Sequence, residues 1–246
     1  MKKISLLGIE IEANNKHSIL EKIKKYLMQP QGNLHIVSLN PENLVTSTEN
    51  PDFKRTIKTS QIKIIDGFGV VLAGKITGQD FLRFTGVDLM EELLNLASEL
   101  RLRVLLIGGR TNLADRLAKC YSEIHVQAKI KGIEGIKNIK KPHKSEEDEL
   151  FSIVADYKPH IVFVAFGSPD QELWIDRHKK QFTGIVCMGV GGAFDFAGDV
   201  VPRAPIFVRT IGMEWLFRLL VEPWRWRRQL KLIKFMFLII FQKYFR

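Results

Sequence analysis

A chain of 246 residues, 46% of them hydrophobic, is long enough to bury one sizeable core with an appendage, or two small cores. Two cysteines, Cys120 and Cys187, and six scattered histidines exclude a disulfide framework and show no metal-ligand spacing, which fits a reducing compartment. The net charge of +10 is uneven: positions 203–246 hold ten Lys or Arg against Glu214 and Glu222, so eight of those charges lie in the tail and the rest of the chain is nearly neutral.

The segment Met1 to Ile11 starts basic, soon meets Glu10 and Glu12, and lacks the apolar centre of a leader, so the expected location is the cytosol. Apolar, β-branched runs at Leu34–Leu39, Ile62–Ile65, Arg103–Ile107, Ile124–Ala128, His160–Phe166 and Gly184–Met188 predict buried strands. Helical spacing predicts helices over Ser18–Met28, Val87–Leu100, Asn112–Tyr121, Ser145–Tyr157 and Pro169–Lys180, and Lys129 to Lys144 is expected to be a surface loop. Strands alternating with helices imply a Rossmann-like α/β fold, a parallel sheet with helices on both faces. We expect this core over 1–202, and a basic, amphipathic helical appendage over 203–246.

Polar and glycine-rich motifs recur just after these strands: Asn40, Asp66-Gly67, Gly108-Gly109, Gly167 to Gln171, and Gly189 to Asp195. In an open parallel sheet such points share one edge, where ligands bind. Each also has a structural reading. Asn40 before Pro41 suits a helix N-cap, Ser168-Pro169-Asp170-Gln171 matches a capping box, and Asp66 is placed either to cap a helix or to face a ligand. Gly108-Gly109 can cradle a phosphate through backbone N–H groups but is not GxGxxG, and Gly189 to Asp195 is small enough to admit a flat base and ribose. Arg83 is either a surface residue before a helix capped by Thr85 or a bidentate phosphate ligand.

In the tail, at 100° per residue, Trp226, Leu230, Ile233, Phe237, Ile240, Phe241 and Tyr244 fall on one stripe, with Arg227, Arg228, Lys231 and Lys234 roughly opposite. Lysines interrupt the apolar run well short of the roughly 20 residues a spanning helix needs, so the expected arrangement is a helix lying on an anionic membrane surface. A C-terminal helix packed on the core or on a second subunit is the alternative, but Phe235 to Phe241 is apolar all round its helix and one core face cannot cover it, which favours the membrane.

Six segments carry a resemblance: Ser38-Leu39-Asn40-Pro41-Glu42, Asp66-Gly67-Phe68-Gly69-Val70-Val71, Arg83-Phe84-Thr85-Gly86-Val87-Asp88-Leu89, Phe166-Gly167-Ser168-Pro169-Asp170-Gln171-Glu172, Gly191-Gly192-Ala193-Phe194-Asp195 and Glu214-Trp215-Leu216-Phe217-Arg218. In this order they resemble the WecG/TagA/CpsF glycosyltransferase family, nearly end to end. The resemblance implies an inverting transfer from a UDP-sugar, with N-acetylmannosamine the best match, to polyprenyl-pyrophosphate-linked N-acetylglucosamine in cell-surface polymer synthesis. It implies that Asp66 is the general base, that Asn40 and Gln171 orient sugar hydroxyls, and that Ser38 stands where members commonly have Thr. Arg83 would offset charge on the leaving diphosphate without a metal or other cofactor. Gly108 and Gly109 would line the pyrophosphate, with Gly167, Gly191, Gly192 and Asp195 on the same nucleotide side. Trp224, Arg225, Trp226, Arg227 and Arg228 would meet the acceptor and the inner face of the plasma membrane, and the chain would self-associate when off it. Phe81 and Leu82 depart from the family, where a proline and an acid are frequent. The rival readings are a nucleic-acid-binding protein, from the basic, aromatic tail, and a nucleotide-dependent oxidoreductase on the same fold.

Overall fold

A computed structural model describes residues 3–245 apart from 13, 199, 206, 209–211, 224 and 225, with 3, 227 and 245 as backbone only. Trp224 and Arg225 therefore lie outside the described residues, as does the side chain of Arg227. The chain opens with an antiparallel hairpin, β1 (Lys3–Leu6) and β2 (Ile9–Glu12), which the sequence reading had not identified. Leu7 and Gly8 both take positive φ at its turn, the conformation that matches strand twist in a two-residue connection.

After α1 (Lys16–Met28) come six strands: β3 (Leu34–Leu39), β4 (Ile62–Ile65), β5 (Arg103–Gly108), β6 (Lys129–Ile133), β7 (Ile161–Ala165) and β8 (Val186–Gly189). They form one sheet in the order β4-β3-β8-β7-β5-β6, every neighbouring pair parallel. The intervening helices are α2 (Pro41–Glu49), α3 (Pro51–Thr59), α4 (Phe68–Ile76), α5 (Gly86–Glu99), α6 (Leu113–Ile124), α7 (Lys144–Tyr157), α8 (Asp170–Arg177) and α9 (Ala193–Ala197). The five expected helices are present as α1, α5, α6, α7 and α8, with ends shifted by at most three residues.

Side chains alternate across the sheet, as a period of two requires. Ile36, Ile64, Val104, Leu106, Phe163 and Met188 pack towards α1, α5 and α6. Val37, Leu39 and Ile65 face the hairpin and α2 to α4, while Leu105, Ile107, Val162, Val164 and Cys187 face α7 and α8. Burial pushes the Cys187 thiol well above its ordinary pKa, so it is an inert core group. The fold class is thus the expected one, a parallel sheet covered on both faces.

One expected strand is misplaced. Ile124 ends α6 and Val126 is 76% exposed, whereas the strand runs over Lys129–Ile133, inside the segment expected to be a loop. The reason is its position. β6 is an edge strand with partly exposed residues, so it reads Lys-Ile-Lys-Gly-Ile rather than as a solid apolar run.

The C-terminal region folds as α10 (Glu214–Val221) and α11 (Trp226–Phe245). Among the described residues no helix is long and apolar enough to cross a membrane. α11 lies along α2 and reverses the usual polarity of a surface helix. Phe235 and Ile239 are fully buried in the cluster formed by Leu44, Val45, Val70 and the hairpin, whereas Trp226, Leu230, Ile233, Phe237, Ile240, Phe241 and Tyr244 are all exposed. The cations flanking the buried pair face α2: Arg228 pairs with Glu42, Lys231 donates to Thr46 Oγ1, and Lys234 pairs with Glu49. Gln242 then pins the hairpin, accepting from Leu7 N at 2.8 Å and donating to Ser5 O at 2.6 Å. Half-exposed ion pairs contribute about 0–1 kcal/mol each, against about 1.5–3 kcal/mol for each buried large apolar side chain, so Phe235 and Ile239 hold the helix down. In thermal and denaturant melts, Phe235→Ala should destabilise the protein by about 3 kcal/mol, while Phe237→Ala should change it by less than about 0.5 kcal/mol.

Candidate active site

The parallel arrangement brings the strand-end motifs to one rim. A cleft of about 540 Å³ is lined by Ser38 and Asn40 after β3, Asp66 after β4, Gly109 after β5, Gly167 and Gln171 after β7, and Gly191, Gly192 and Asp195 after β8. That volume suits a nucleotide sugar. A second cavity of about 210 Å³ lies towards α11, lined by Gly67, Phe68, Gly69, Arg83 and Leu232. Asn40, Asp66, Glu214, Trp215, Arg218 and Arg228 line both. A separate pocket of about 480 Å³ beside the hairpin holds Lys22, Lys58 and Lys63 with Glu10 and Glu12, and none of the strand-end motifs.

Asp66 occupies the junction of the two cavities. It is not a helix cap: α4 starts with Gly67 in the cap position and has no side-chain cap bond. The residue keeps some exposed surface on the cavities but is otherwise enclosed by protein. This desolvation raises its carboxyl pKa from 3.8 to about 6, opposed by the Arg83 charge and a hydrogen bond from the Gly86 backbone. A carboxyl poised there is a competent general base near neutral pH.

Arg83 stands on the second cavity. Its Nε donates to the Asp66 backbone oxygen at 3.0 Å and its Nη2 to Glu214 Oε2 at 2.7 Å, so it ties the loop before α5 both to the base and to α10. Thr85 caps α5 through Asp88 N, as expected. Asn40 caps α2, its Oδ1 accepting from Asn43 N at 2.8 Å with Pro41 in the first turn, and it also lines the cleft.

Two structural expectations need correction. The capping box at Ser168 to Gln171 does not form: Gln171 Oε1 accepts from Gly167 N and Gly191 N, each at 3.1 Å, and Ser168 Oγ donates instead to Asn43 Oδ1. Gln171 is 3% exposed, so most of its amide is engaged by protein rather than presented to a sugar. The Gly108-Gly109 pair is not a free N–H cradle. Gly109 N donates to Ala165 O at 2.9 Å, and Gly108 lines an adjoining cavity of about 560 Å³ with Glu134 and Lys137 rather than the main cleft. Among the tail residues, Arg228 reaches the cleft, whereas Trp226 is exposed on the outer stripe.

The structure adds side chains that the sequence reading had not assigned. Arg110, directly after the glycine pair, pairs with Asp195 at 3.3 Å across the mouth of the cleft. Arg218 stacks over Phe196 at 4.4 Å, donates Nε to Glu222 at 2.7 Å, and holds its guanidinium against Gly192, where a Cβ would stand 2.7 Å from Nη2. Its Nη2 is buried on the cleft wall with no hydrogen-bond partner among the described residues, a donor suited to an anionic oxygen. The signal for Arg218 was its place at the end of the Glu214-Trp215-Leu216-Phe217-Arg218 segment. Among the described residues no group of three or more His, Cys, Asp or Glu is placed to hold a metal ion.

Comparison with known proteins agrees with this geometry. Residues 4–246 match the model of the glycosyl transferase WecG/TagA/CpsF family. The chain is 33% identical over 212 residues to an N-acetylglucosaminyldiphosphoundecaprenol N-acetyl-beta-D-mannosaminyltransferase of Bacillus spizizenii, covering 85% of this chain and 79% of that protein. It is 28% identical over 223 residues to the protein of the same name from Bacillus subtilis, covering 90% and 85%. With the one from Staphylococcus aureus it shares 29% over 228 residues, covering 92% and 86%. A buried carboxyl between two cavities, arginines on their walls and a match over nearly the whole length lead to one statement: this chain belongs to the WecG/TagA/CpsF family of glycosyl transferases.

Proposed function

We propose that the protein transfers N-acetylmannosamine from a UDP-sugar to N-acetylglucosamine carried on a polyprenyl diphosphate, with inversion at the transferred carbon. The observation that carries this reading is the place of Asp66, on the wall shared by a nucleotide-sized cleft and a smaller cavity that opens towards the apolar α11. The donor occupies the glycine-lined cleft, its diphosphate towards Arg218, and the acceptor hydroxyl enters from the smaller cavity. The acceptor oxygen attacks the anomeric carbon as the bond to the diphosphate breaks, and Asp66 takes the hydroxyl proton. Arg218 and Arg228, both on the wall of the donor cleft, supply positive charge around the leaving diphosphate, which suits a transfer without a metal ion, while Arg83 stands on the acceptor side. Ser38 and Asn40 border the reacting sugars, and Asp195 borders the nucleoside.

The relatives' names place their acceptor on undecaprenyl diphosphate, and a lipid acceptor calls for a protein that meets a membrane. We assign that contact to the outward stripe of α11 from Trp226 to Tyr244, on the inner face of the plasma membrane. The nucleic-acid reading loses its main support because Arg228, Lys231 and Lys234 are turned onto α2. The oxidoreductase reading loses its phosphate cradle at Gly109.

Asp66→Asn should still bind UDP but lose nearly all UDP release in the presence of the lipid-linked acceptor. Because the base works ionised, wild-type turnover should fall as pH drops through about 6 and be level above it. Full activity of the variant would remove Asp66 as the base. A second test concerns the stripe. Wild-type protein should float with anionic vesicles, and the pair Ile233→Glu and Phe237→Glu should abolish flotation while leaving the fold intact. Binding to nucleic acid with none to vesicles would overturn the membrane assignment.

A further inference from the structure

Beneath the floor of the main cleft a chain of polar groups runs from β3 to β8. Asn43 Nδ2 donates to Ser38 O at 2.9 Å and Ser168 Oγ to Asn43 Oδ1 at 2.9 Å. Gln171 Nε2 donates to Glu172 Oε1 at 2.7 Å, while Gln171 Oε1 receives the Gly167 and Gly191 amides. Glu172 is 1% exposed and lines the cleft, yet its Oε2 has no partner. Among the described residues its polar neighbours are Gln171, the Ser168 hydroxyl and its own backbone N–H, none of them a cation.

Counting donors decides the state of this carboxyl. Ser168 has one hydroxyl proton, and Asn43 receives it. An ionised Glu172 would leave Oε2 a buried, unpaired anion, at a cost of several kcal/mol. Protonation of Oε2 removes that charge, and the Ser168 hydroxyl beside the carboxyl offers it an acceptor. Burial acts in that direction, raising the Glu172 pKa against the hydrogen bonds from Gln171 and Ser168. The amide of Gln171 is also wedged: a Cβ on Gly189 would lie 2.5 Å from its Nε2.

We propose that Glu172 is a positioning residue, whose carboxyl fixes the orientation of the Gln171 amide so that its carbonyl clamps the Gly167 and Gly191 turns at one spacing and sets the width of the donor side of the cleft. The two turns come from different strands, β7 and β8, and Gln171 Oε1 is one acceptor shared by both. With its amide reversed, Gln171 would present NH2 to two N–H donors and the turns would part. The consequence for a nucleotide sugar rests on the functional reading above; the clamp itself does not.

Two variants separate the possibilities. Glu172→Gln keeps an acceptor for Gln171 and a donor for Ser168, so it should retain slow amide exchange at Gly167 and Gly191 and bind UDP within about twofold of wild type. Glu172→Leu keeps the volume and removes both bonds. It should speed exchange at both glycines and raise KM for the UDP-sugar about tenfold, with KM for the lipid acceptor unchanged. Should Glu172→Leu not fold, Glu172→Asp draws the carboxyl back from Gln171 and must show the same faster exchange. Unchanged exchange in the Leu or Asp variant, or a Gln variant as impaired as Leu, overturns the proposal. Failure of wild-type protein to bind UDP in calorimetry would overturn the donor reading instead, with the exchange data still judging the clamp.

Discussion

All six strands of the sheet run the same way, so every βα turn opens on one edge, and any side chains that are to act together must meet on that rim. At its centre the fold keeps a carboxyl partly out of water. Because the folded pKa of Asp66, about 6, lies above its ordinary 3.8, the folded state holds the proton more tightly than the unfolded chain. Stability is therefore lost as pH rises from about 4 through about 6, and at neutral pH the ionised group costs roughly 3 kcal/mol. The surrounding hydrophobic clusters must exceed that cost, and the carboxyl sits directly after β4, whose Ile64 and Ile65 anchor it on opposite faces of the sheet.

The appendage solves a different problem. A basic helix with an apolar stripe usually buries the stripe, yet among its described side chains α11 fully buries Phe235 and Ile239 and turns Arg228, Lys231 and Lys234 towards the acidic and hydroxyl side chains of α2. What faces outward is aromatic and aliphatic. On a membrane such a surface is held by apolar insertion more than by charge, so its affinity would depend less on ionic strength than the tail's composition suggests. The same docking places Arg228 on the wall of both cavities, which couples the position of the helix to the shape of the site.

Much of this was legible in the sequence, and the failures have specific causes. Buried strands such as Ile161–Ala165 announce themselves because both faces are covered, and the motifs after them could be placed on one rim from topology alone. β6 could not, since an edge strand is solvated and its lysines hide the pattern. The hairpin Ile9–Glu12 alternates apolar with acidic residues, a readable strand signal, but its Leu7-Gly8 turn lacks the usual Asn-Gly or Asp-Gly marker. In α11 the stripe was readable and the docking face was not, because Phe235 and Phe237 differ only in what lies opposite them. Gln171 was read as a sugar ligand for a similar reason: its motif fixes where the residue is, but its partners Gly191 and Glu172 are set by the approach of β8 and by burial.

The electrostatics around Asp66 tie the appendage to the base. Arg83 lowers the Asp66 pKa, but its guanidinium also carries Glu214 of α10 at 2.7 Å, and that carboxylate raises the Asp66 pKa in turn. Burial is the larger cause of the raised pKa, and Glu214 adds to it by partly neutralising the cation beside Asp66. A residue from the last fifth of the chain thus helps set the proton affinity of a group on β4, more than a hundred positions earlier. The arrangement links α10, which precedes the helix whose outward stripe we assign to the membrane, to the carboxyl proposed as the base.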